Sequence, residues 1–517
     1  MKKILIDYRY CLLFLFATAL AISIQSCKKS DSCKTPVVSY VRNYDVNPND
    51  TITGTSINMG QWVVLVGKNL SGVTHVTFGS IEATINNALF SDTSLVVQLP
   101  TIPFESVPAD KLNKITVYTA CGSTTFDINI SGPPLITHVR NAASAPNDNI
   151  VTSITPGLKI NLIGFNLKNA TEISFQGVPA DLSAINYTDT SAIITVPTDL
   201  SGSNAAQVNL ITYTTPIGSG TFSIMIIGPP IITRVSLENP QVGDSVYLYG
   251  NNFIDVESLS FAGTAITSFS VTPDGTTIGF VVPSLSTSAP VTITAAGGTF
   301  STAYNVNDIA TGALSNFEWS GMFQWEWWGG AELASGDPGS GWPPYNSTFT
   351  GNPSLYLFLK YTSLNGGDGY PWTHAVRIPR VQWVPAANIS DAIDKWVLKF
   401  ECSIPSGWEG GSMCIKTSSG DYLCRYEPWQ TGPNATTPFT TKGAPNKWQT
   451  ITIPLSSFRR NDPTLGEGKG AAATSLTDIL TGGAAGTSEL QLYMHNYQTT
   501  AVTNFNAAFD NFRVVKK

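Results

Sequence analysis

The chain has 517 residues, too many for one hydrophobic core, and length alone points to about three to five domains. Charged residues make up only 13% while apolar residues reach 42%, a balance that excludes a disordered chain and matches extracellular all-β proteins. The net charge is −7 with no Lys/Arg cluster, which excludes nucleic acid as a partner.

The N-terminus reads as a targeting segment. Met1-Lys-Lys is followed by an apolar run from Cys11 to Ile24, of signal-peptide length and too short for a membrane span. Ser26-Cys27 closes it. A small residue before Cys at the end of an apolar run resembles a bacterial lipobox. That resemblance implies a lipoprotein signal peptide over 1–26, lipidation of Cys27, and a lipidated linker over 27–35. Several acyl chains on Cys27 would make a firm anchor, where a single chain is marginal. Lys28-Lys-Ser-Asp31 lacks the acidic run that some surface-exported lipoproteins carry after the Cys.

Three stretches then repeat one pattern. The first runs Pro36-Val-Val-Ser-Tyr-Val, Trp62-Val-Val-Leu-Val-Gly67-Lys-Asn-Leu70 and Val76-Thr-Phe78-Gly79. The second runs Pro134-Leu-Ile-Thr-His-Val, Ile160-Asn-Leu-Ile-Gly164-Phe-Asn-Leu167 and Ile173-Ser-Phe175-Gln-Gly177. The third runs Pro230-Ile-Ile-Thr-Arg-Val235, Val246-Tyr-Leu-Tyr-Gly250-Asn-Asn-Phe253 and Leu259-Ser-Phe261-Ala-Gly263. Alternation with period two marks half-buried strands. The Gly-x-Asn-Leu/Phe element ends a strand in a tight turn where Gly and Asn accept positive φ, and the apolar residue after it returns to the core. Gly132-Pro-Pro134 and Gly228-Pro-Pro230 break strand pairing and stiffen the junctions. The pattern resembles the IPT/TIG family of immunoglobulin-like domains. It implies sandwiches over 36–131, 132–228 and 229–308, with a spacer role. Held end to end, they would carry the last domain on the order of 100 Å from the membrane.

From about residue 309 to 517 the texture changes. Eleven of the 12 tryptophans lie here, and four of them fall within Trp319–Trp328. Strand-like runs include Ser354–Tyr361, Trp396–Ser403, Ser412–Thr417, Trp448–Leu455, Leu490–His495 and Phe509–Val515. Roughly 200 residues of antiparallel strand is the size of a jelly-roll-like β-sandwich. The fold class is therefore all-β throughout.

Clustered Trp is either core or a flat binding platform. A sugar ring has an apolar C–H face that an indole covers, while its hydroxyls want amides, carboxylates or Arg. About 100 Å² of apolar surface per Trp gives roughly 2.5 kcal/mol. Three such platforms leave weak, reversible binding after association costs. If the strand includes Phe323–Trp328, Gln324, Glu326 and Trp328 share the polar, outward face. Trp325, Trp383, Trp396 and Trp448 then read as core. Trp342-Pro-Pro-Tyr345, Tyr370-Pro-Trp372, Trp408 and Trp429 sit in Gly/Pro-rich loops, where aromatics serve binding. Arg377 and Asn496 are candidate polar partners.

Trp448-Gln-Thr-Ile-Thr-Ile-Pro-Leu and the closing Asp510-Asn-Phe-Arg-Val-Val resemble the last strands of jelly-roll carbohydrate-binding modules. With a lipobox in front and IPT/TIG repeats between, the architecture resembles surface glycan-binding protein B of polysaccharide-utilisation systems. The resemblance implies non-catalytic binding of xyloglucan or a related β-glucan or β-mannan. It implies an outer-membrane lipoprotein facing the exterior, working with an outer-membrane transporter, that transporter's own binding lipoprotein and a surface endo-glycanase. It maps ligand contacts onto Trp327 or Trp328, and onto Tyr370 with Trp372. The competing readings are an adhesin for host glycoprotein and a glycoside hydrolase. A hydrolase needs two carboxylates across a cleft. Glu318, Glu326, Glu332, Glu401, Glu409, Glu427 and Asp510 are available, but none stands in a catalytic signature.

No cofactor is expected beyond a structural Ca²⁺ that Asp510 would ligate. Zinc is excluded by the absence of CxxC and by four scattered histidines. Cys414 and Cys424 flank a hairpin about Ser419-Gly420, which admits a cross-strand disulfide. Cys33 with Cys121 is a second pairing open to the chain.

Overall fold

The computed structural model describes residues 33–44, 56–200, 208–318, 326–328, 332–369, 375–418, 422–430, 438–441 and 448–517. Cys27, Gln324, Tyr370 and Trp372 lie outside them, and so does the lipobox. Among the described residues the sheets are antiparallel apart from two short parallel pairings in the first two sandwiches. Among the described residues no helix is long and apolar enough to cross a membrane. The chain divides into two compact units: residues 1–151, 159–195 and 211–222 form one, and 152–158, 196–210 and 223–517 the other.

The three repeats are immunoglobulin-like sandwiches. In each, an opening strand pairs with a second that ends in the Gly-x-Asn element: Val37–Asn43 with Trp62–Lys68, Leu135–Asn141 with Lys159–Phe165, Ile231–Val235 with Ser245–Asn251. The same bulge interrupts all three ladders, at Val38/Tyr40, Ile136/His138 and Ile232/Arg234. The turn chemistry differs from the expectation in one respect. Asn69, Asn166 and Asn252 take positive φ, at 56°, 57° and 60°. The preceding glycine is required for space instead. A Cβ on Gly67, Gly164 or Gly250 would fall 1.7, 1.9 or 1.8 Å from a carbonyl oxygen of the partner strand. Leu70, Leu167 and Phe253 drop into their cores, as the pattern predicts.

The C-terminal region folds into a two-layer β-sandwich. Among the described residues its strands are β1 (Ala313–Ser315), β2 (Glu326–Trp328), β3 (Glu332–Ser335), β4 (Leu355–Leu364), β5 (Ala375–Gln382), β6 (Trp396–Ser403), β7 (Ser412–Lys416), β8 (Leu423–Tyr426), β9 (Trp448–Pro454), β10 (Thr487–His495) and β11 (Val502–Lys516). One sheet has the order β3-β4-β11-β6-β9, with β1 added beside β11. The other has the order β2-β5-β10-β7-β8. Phe400, Phe509, Phe512, Trp383, Trp408 and Leu492 fill the space between them. Trp383 and Trp396 are core residues, as expected.

The outer face of the first sheet is buried too, because the third sandwich packs on it. Tyr356, Phe358, Trp448 and Ala508 join the core of that sandwich, beside Phe261, Phe280 and Val306. Four ionised groups cross the contact. Glu238 receives Lys399 Nζ at 2.5 Å and Arg513 at 2.6 Å, and Arg513 also reaches Glu401 at 2.9 Å. Two acids face two bases, so the buried charge closes to zero. The Lys399 ammonium also sits 3.2 Å from the centre of the Tyr304 ring. Burial still pulls its pKa down to about 8.

The cysteine expectation is corrected. Cys33 and Cys121 form the disulfide, while Cys402, Cys414 and Cys424 are free and buried. Register explains it. Cys414 pairs with Arg425 and Cys424 with Ile415, one residue out of step. In a ladder of period two that offset sends the two thiols to opposite faces. Burial pushes each up to about 12.

Candidate functional site

With one sheet covered by the third sandwich, the outer face of β2-β5-β10-β7-β8 is the large sheet surface left for a ligand. Alternation decides what it shows. Val376, Ile378, Leu490, Leu492, Met413 and Ile415 point into the core. Arg377, Gln491 and Lys416 lie between them in the same strands and are half-exposed, with the mostly buried Glu489 beside them. Arg377 Nε donates to Glu489 Oε2 at 2.8 Å.

One side of this face is raised. The segment from Arg459 to Ala473 bridges to β8 at Leu423 and passes close above it, with Gly468 against the Leu423 side chain. Glu467 in this segment is the hub of an aromatic cluster. It accepts from Tyr493 Oη at 3.0 Å and from Tyr497 Oη at 2.6 Å, and lies 3.4 Å from His495 Nδ1. These partners, His495 first, hold the Glu467 carboxyl down at about 2. Burial pushes the Tyr493 and Tyr497 hydroxyls well above their usual range. The Tyr497 ring is sandwiched. His495 stacks on it at 3.7 Å, and the Arg425 guanidinium carbon lies 3.5 Å from its centre. Two groups that close cannot share one face. Gly369 continues the stack, since a Cβ there would fall 2.7 Å from His495 Nδ1. The described end of that loop, at Gly369, is thereby seated on His495.

Residues 306–516 match the family model of the surface glycan-binding protein B xyloglucan-binding domain. The C-terminal domain is similar to that family. A curated IPT/TIG domain-containing protein of Bacteroides ovatus is 24% identical over 535 residues, covering 99% of each chain. Among solved structures, a crystal structure with xylogluco-oligosaccharide aligns with a TM-score of 0.54 at 20% identity, covering 94% of this chain and 100% of the other. A surface glycan-binding protein B from a complex xyloglucan utilisation locus in Bacteroides uniformis aligns at 0.40 and 18% identity, covering 74% of this chain and 99% of its own. Surface glycan-binding proteins of the B type are non-catalytic, which sets aside the hydrolase reading.

Within this glycan-binding domain the expected site residues separate. Register places Glu326, Trp327 and Trp328 at the sheet edge, opposite Arg377, Val376 and Ala375. Trp429 belongs to the same end of the sandwich. It is half-buried and its Nε1 donates to Gly411 O at 3.0 Å, next to Ser412, which pairs with His495. Trp342 is 72% exposed, but its loop precedes β4 while the loop toward Tyr370 follows it. A strand of that length separates the two ends by roughly 30 Å. The structure therefore does not bring Trp342 to the other candidates. Trp408, read as a loop aromatic, is fully buried, with Nε1 donating to Gly410 and Gly411 carbonyls. Asn496 is structural. Its amide donates to Leu364 O and Thr500 O and pins two loops.

Asp510 does not fit a Ca²⁺ ligand. Its oxygens accept from Asn352 Nδ2 at 2.7 Å, Ser354 Oγ at 3.2 Å and the Asn511 N–H at 2.7 Å, and burial pushes its pKa well up. Among the described residues no three acidic, His or Cys side chains are arranged to hold a metal. Glu489, Gln491, Lys416 and the Glu467 hub escaped the sequence reading. Leu490-Gln-Leu-Tyr-Met-His carried the signal for Gln491, a polar residue flanked by two core leucines.

Proposed function

We propose that the chain is a cell-surface lipoprotein that holds a xyloglucan-type β-glycan on the outer face of β2-β5-β10-β7-β8 and does not cut it. The observation that carries the reading is that face itself: polar side chains on the floor, the Arg459–Ala473 segment raised on one side, and the stacked His495, Tyr497 and Arg425 beside it. A polymer needs an extended surface, not a closed pocket, and the half-exposed polar row across β5, β10 and β7 offers one. The match to that family model and the ligands of similar proteins support the same assignment. The lipidated Cys27 would anchor it to the outer membrane facing outward. A transporter with its own binding lipoprotein and a surface endo-glycanase would complete the system. Binding would be micromolar to millimolar, weak enough to release the polymer for import.

Affinity electrophoresis and calorimetry of the full chain test this against xyloglucan, mixed-linkage glucan and galactomannan. Retardation without new reducing ends is expected, strongest with xyloglucan. New reducing ends would overturn the non-catalytic reading. No retardation by any of the three would turn the assignment toward a host-glycoprotein adhesin.

A further inference from the structure

The outer face carries a row of nitrogen donors that an aromatic platform does not explain. Register sets Arg377 of β5 opposite Gln491 of β10, and Gln491 opposite Lys416 of β7. Directly opposed side chains share a face and lie about 5 Å apart, so the three form one line across three strands. All three are half-buried, not splayed into solvent. The line ends on β8 at Leu423, which is fully buried beneath the Gly468 segment. Arg377 is held by Glu489, which is itself only 12% exposed. Gln491 and Lys416 make no side-chain hydrogen bond or ion pair with another described residue.

A row like this would ordinarily be read as the solvated side of a sheet. Two observations speak against that. The donors lie beside the Arg459–Ala473 segment, which passes over β8 at the end of the row. And Arg377 is aimed by a nearly buried carboxylate, which a solvated arginine does not need. Hydroxyl and ring oxygens of a sugar chain are acceptors, and Arg, Gln and Lys side chains supply N–H donors to them. The Arg377 charge is matched by Glu489, and Lys416 is the row's one cation without an ion pair among the described residues, so the floor is not the cationic cluster that an anionic chain would need.

Resting on the glycan-binding reading above, we propose that Arg377, Gln491 and Lys416 form the floor that reads hydroxyls on successive sugars of an uncharged glycan, with Glu489 as the positioning residue for Arg377. Specificity for hydroxyl pattern comes from this row, while the aromatics supply affinity for ring faces.

The test is calorimetry of the full chain with xyloglucan for wild type, Gln491→Ala, Lys416→Met and the double variant, each at low and high salt. Each single change should weaken binding about 5- to 10-fold and the double about 50-fold, from one hydrogen bond lost per residue. The melting temperature should stay within roughly 2 °C, since neither side chain packs in the core. Affinity should be nearly independent of salt, as expected for a neutral ligand. If wild type binds and both variants bind equally well, the floor is wrong and the wider glycan assignment stands. If wild type binds no glycan, both fall together. Binding that collapses in salt would overturn the uncharged ligand.

Discussion

The carboxylate of Glu238 is the most informative single group to neutralise. It is 1% exposed and receives two cations, Lys399 at 2.5 Å and Arg513 at 2.6 Å. Glu238→Gln keeps the shape and the backbone N–H that donates to Thr450 Oγ1. It leaves Lys399 and Arg513 facing Glu401 alone, so one positive charge is buried without a partner. Removing one member of such a pair costs about 3–5 kcal/mol. For a unit of nearly three hundred residues that is roughly a 10 °C drop in melting temperature. Differential scanning calorimetry of the full chain reads it, in the transition that carries residues 223–517. Adding Lys399→Met removes the stranded ammonium and should restore at least about 1 kcal/mol, a coupling that two independent sites would not show. Glycan affinity measured well below the transition should be unchanged, since the proposed site is on the other sheet. A melting point within roughly 2 °C of wild type would refute the reasoning.

Four further tests bear on other parts of the molecule. Gly369→Ala forces a methyl against the His495 ring and should cost about 1–3 kcal/mol, read as a lower urea midpoint. An unchanged midpoint would mean that the loop is not seated there. Glu467 titrates in the folded chain at about 2, below its ordinary 4.5. Its stabilisation is therefore complete above about pH 4.5 and is lost as pH falls through that value toward 2. The difference in unfolding free energy between wild type and Glu467→Gln should shrink from up to about 3 kcal/mol at pH 7 to near zero at pH 2. Cys121→Ser opens a loop of 88 residues and should lower the stability of the first sandwich by about 4 kcal/mol, visible as an earlier separate transition. Trp342→Ala should leave glycan retardation unchanged, and a lost retardation would place that loop in the site.

The repeats were legible because their signal is local and triplicated. Each core position is set by alternation and by one tight turn, and both are written within about thirty residues. The buried Trp383 and Trp396 followed from alternation in the same way. Trp408 did not, because its burial depends on two carbonyls supplied by Gly410 and Gly411 after a chain reversal that its Gly-rich setting disguised. The thiol pairing failed for a related reason. A hairpin shows in sequence, but its register by one residue does not, and that residue decides which face a side chain takes. The donor row is assembled from β5, β7 and β10, far apart in sequence, so no window along the chain could display it. The ionic contact with the third sandwich joins Glu238 to Arg513 across 275 residues and was equally invisible.

The disulfide between Cys33 and Cys121 has a mechanical meaning. Cys33 stands just ahead of the opening strand Val37–Asn43, which pairs along its whole length with Trp62–Lys68. Cys121 lies at the turn between Lys114–Thr119 and Gly122–Asp127, in the other sheet of that sandwich. Tension entering from the N-terminal side reaches the covalent bond before it reaches the hydrogen-bonded ladder. The load passes into a second hairpin, and the opening strand is spared from being peeled away one rung at a time. Were the chain anchored through Cys27 as proposed, a pull on a bound polymer would load the first sandwich at this bond.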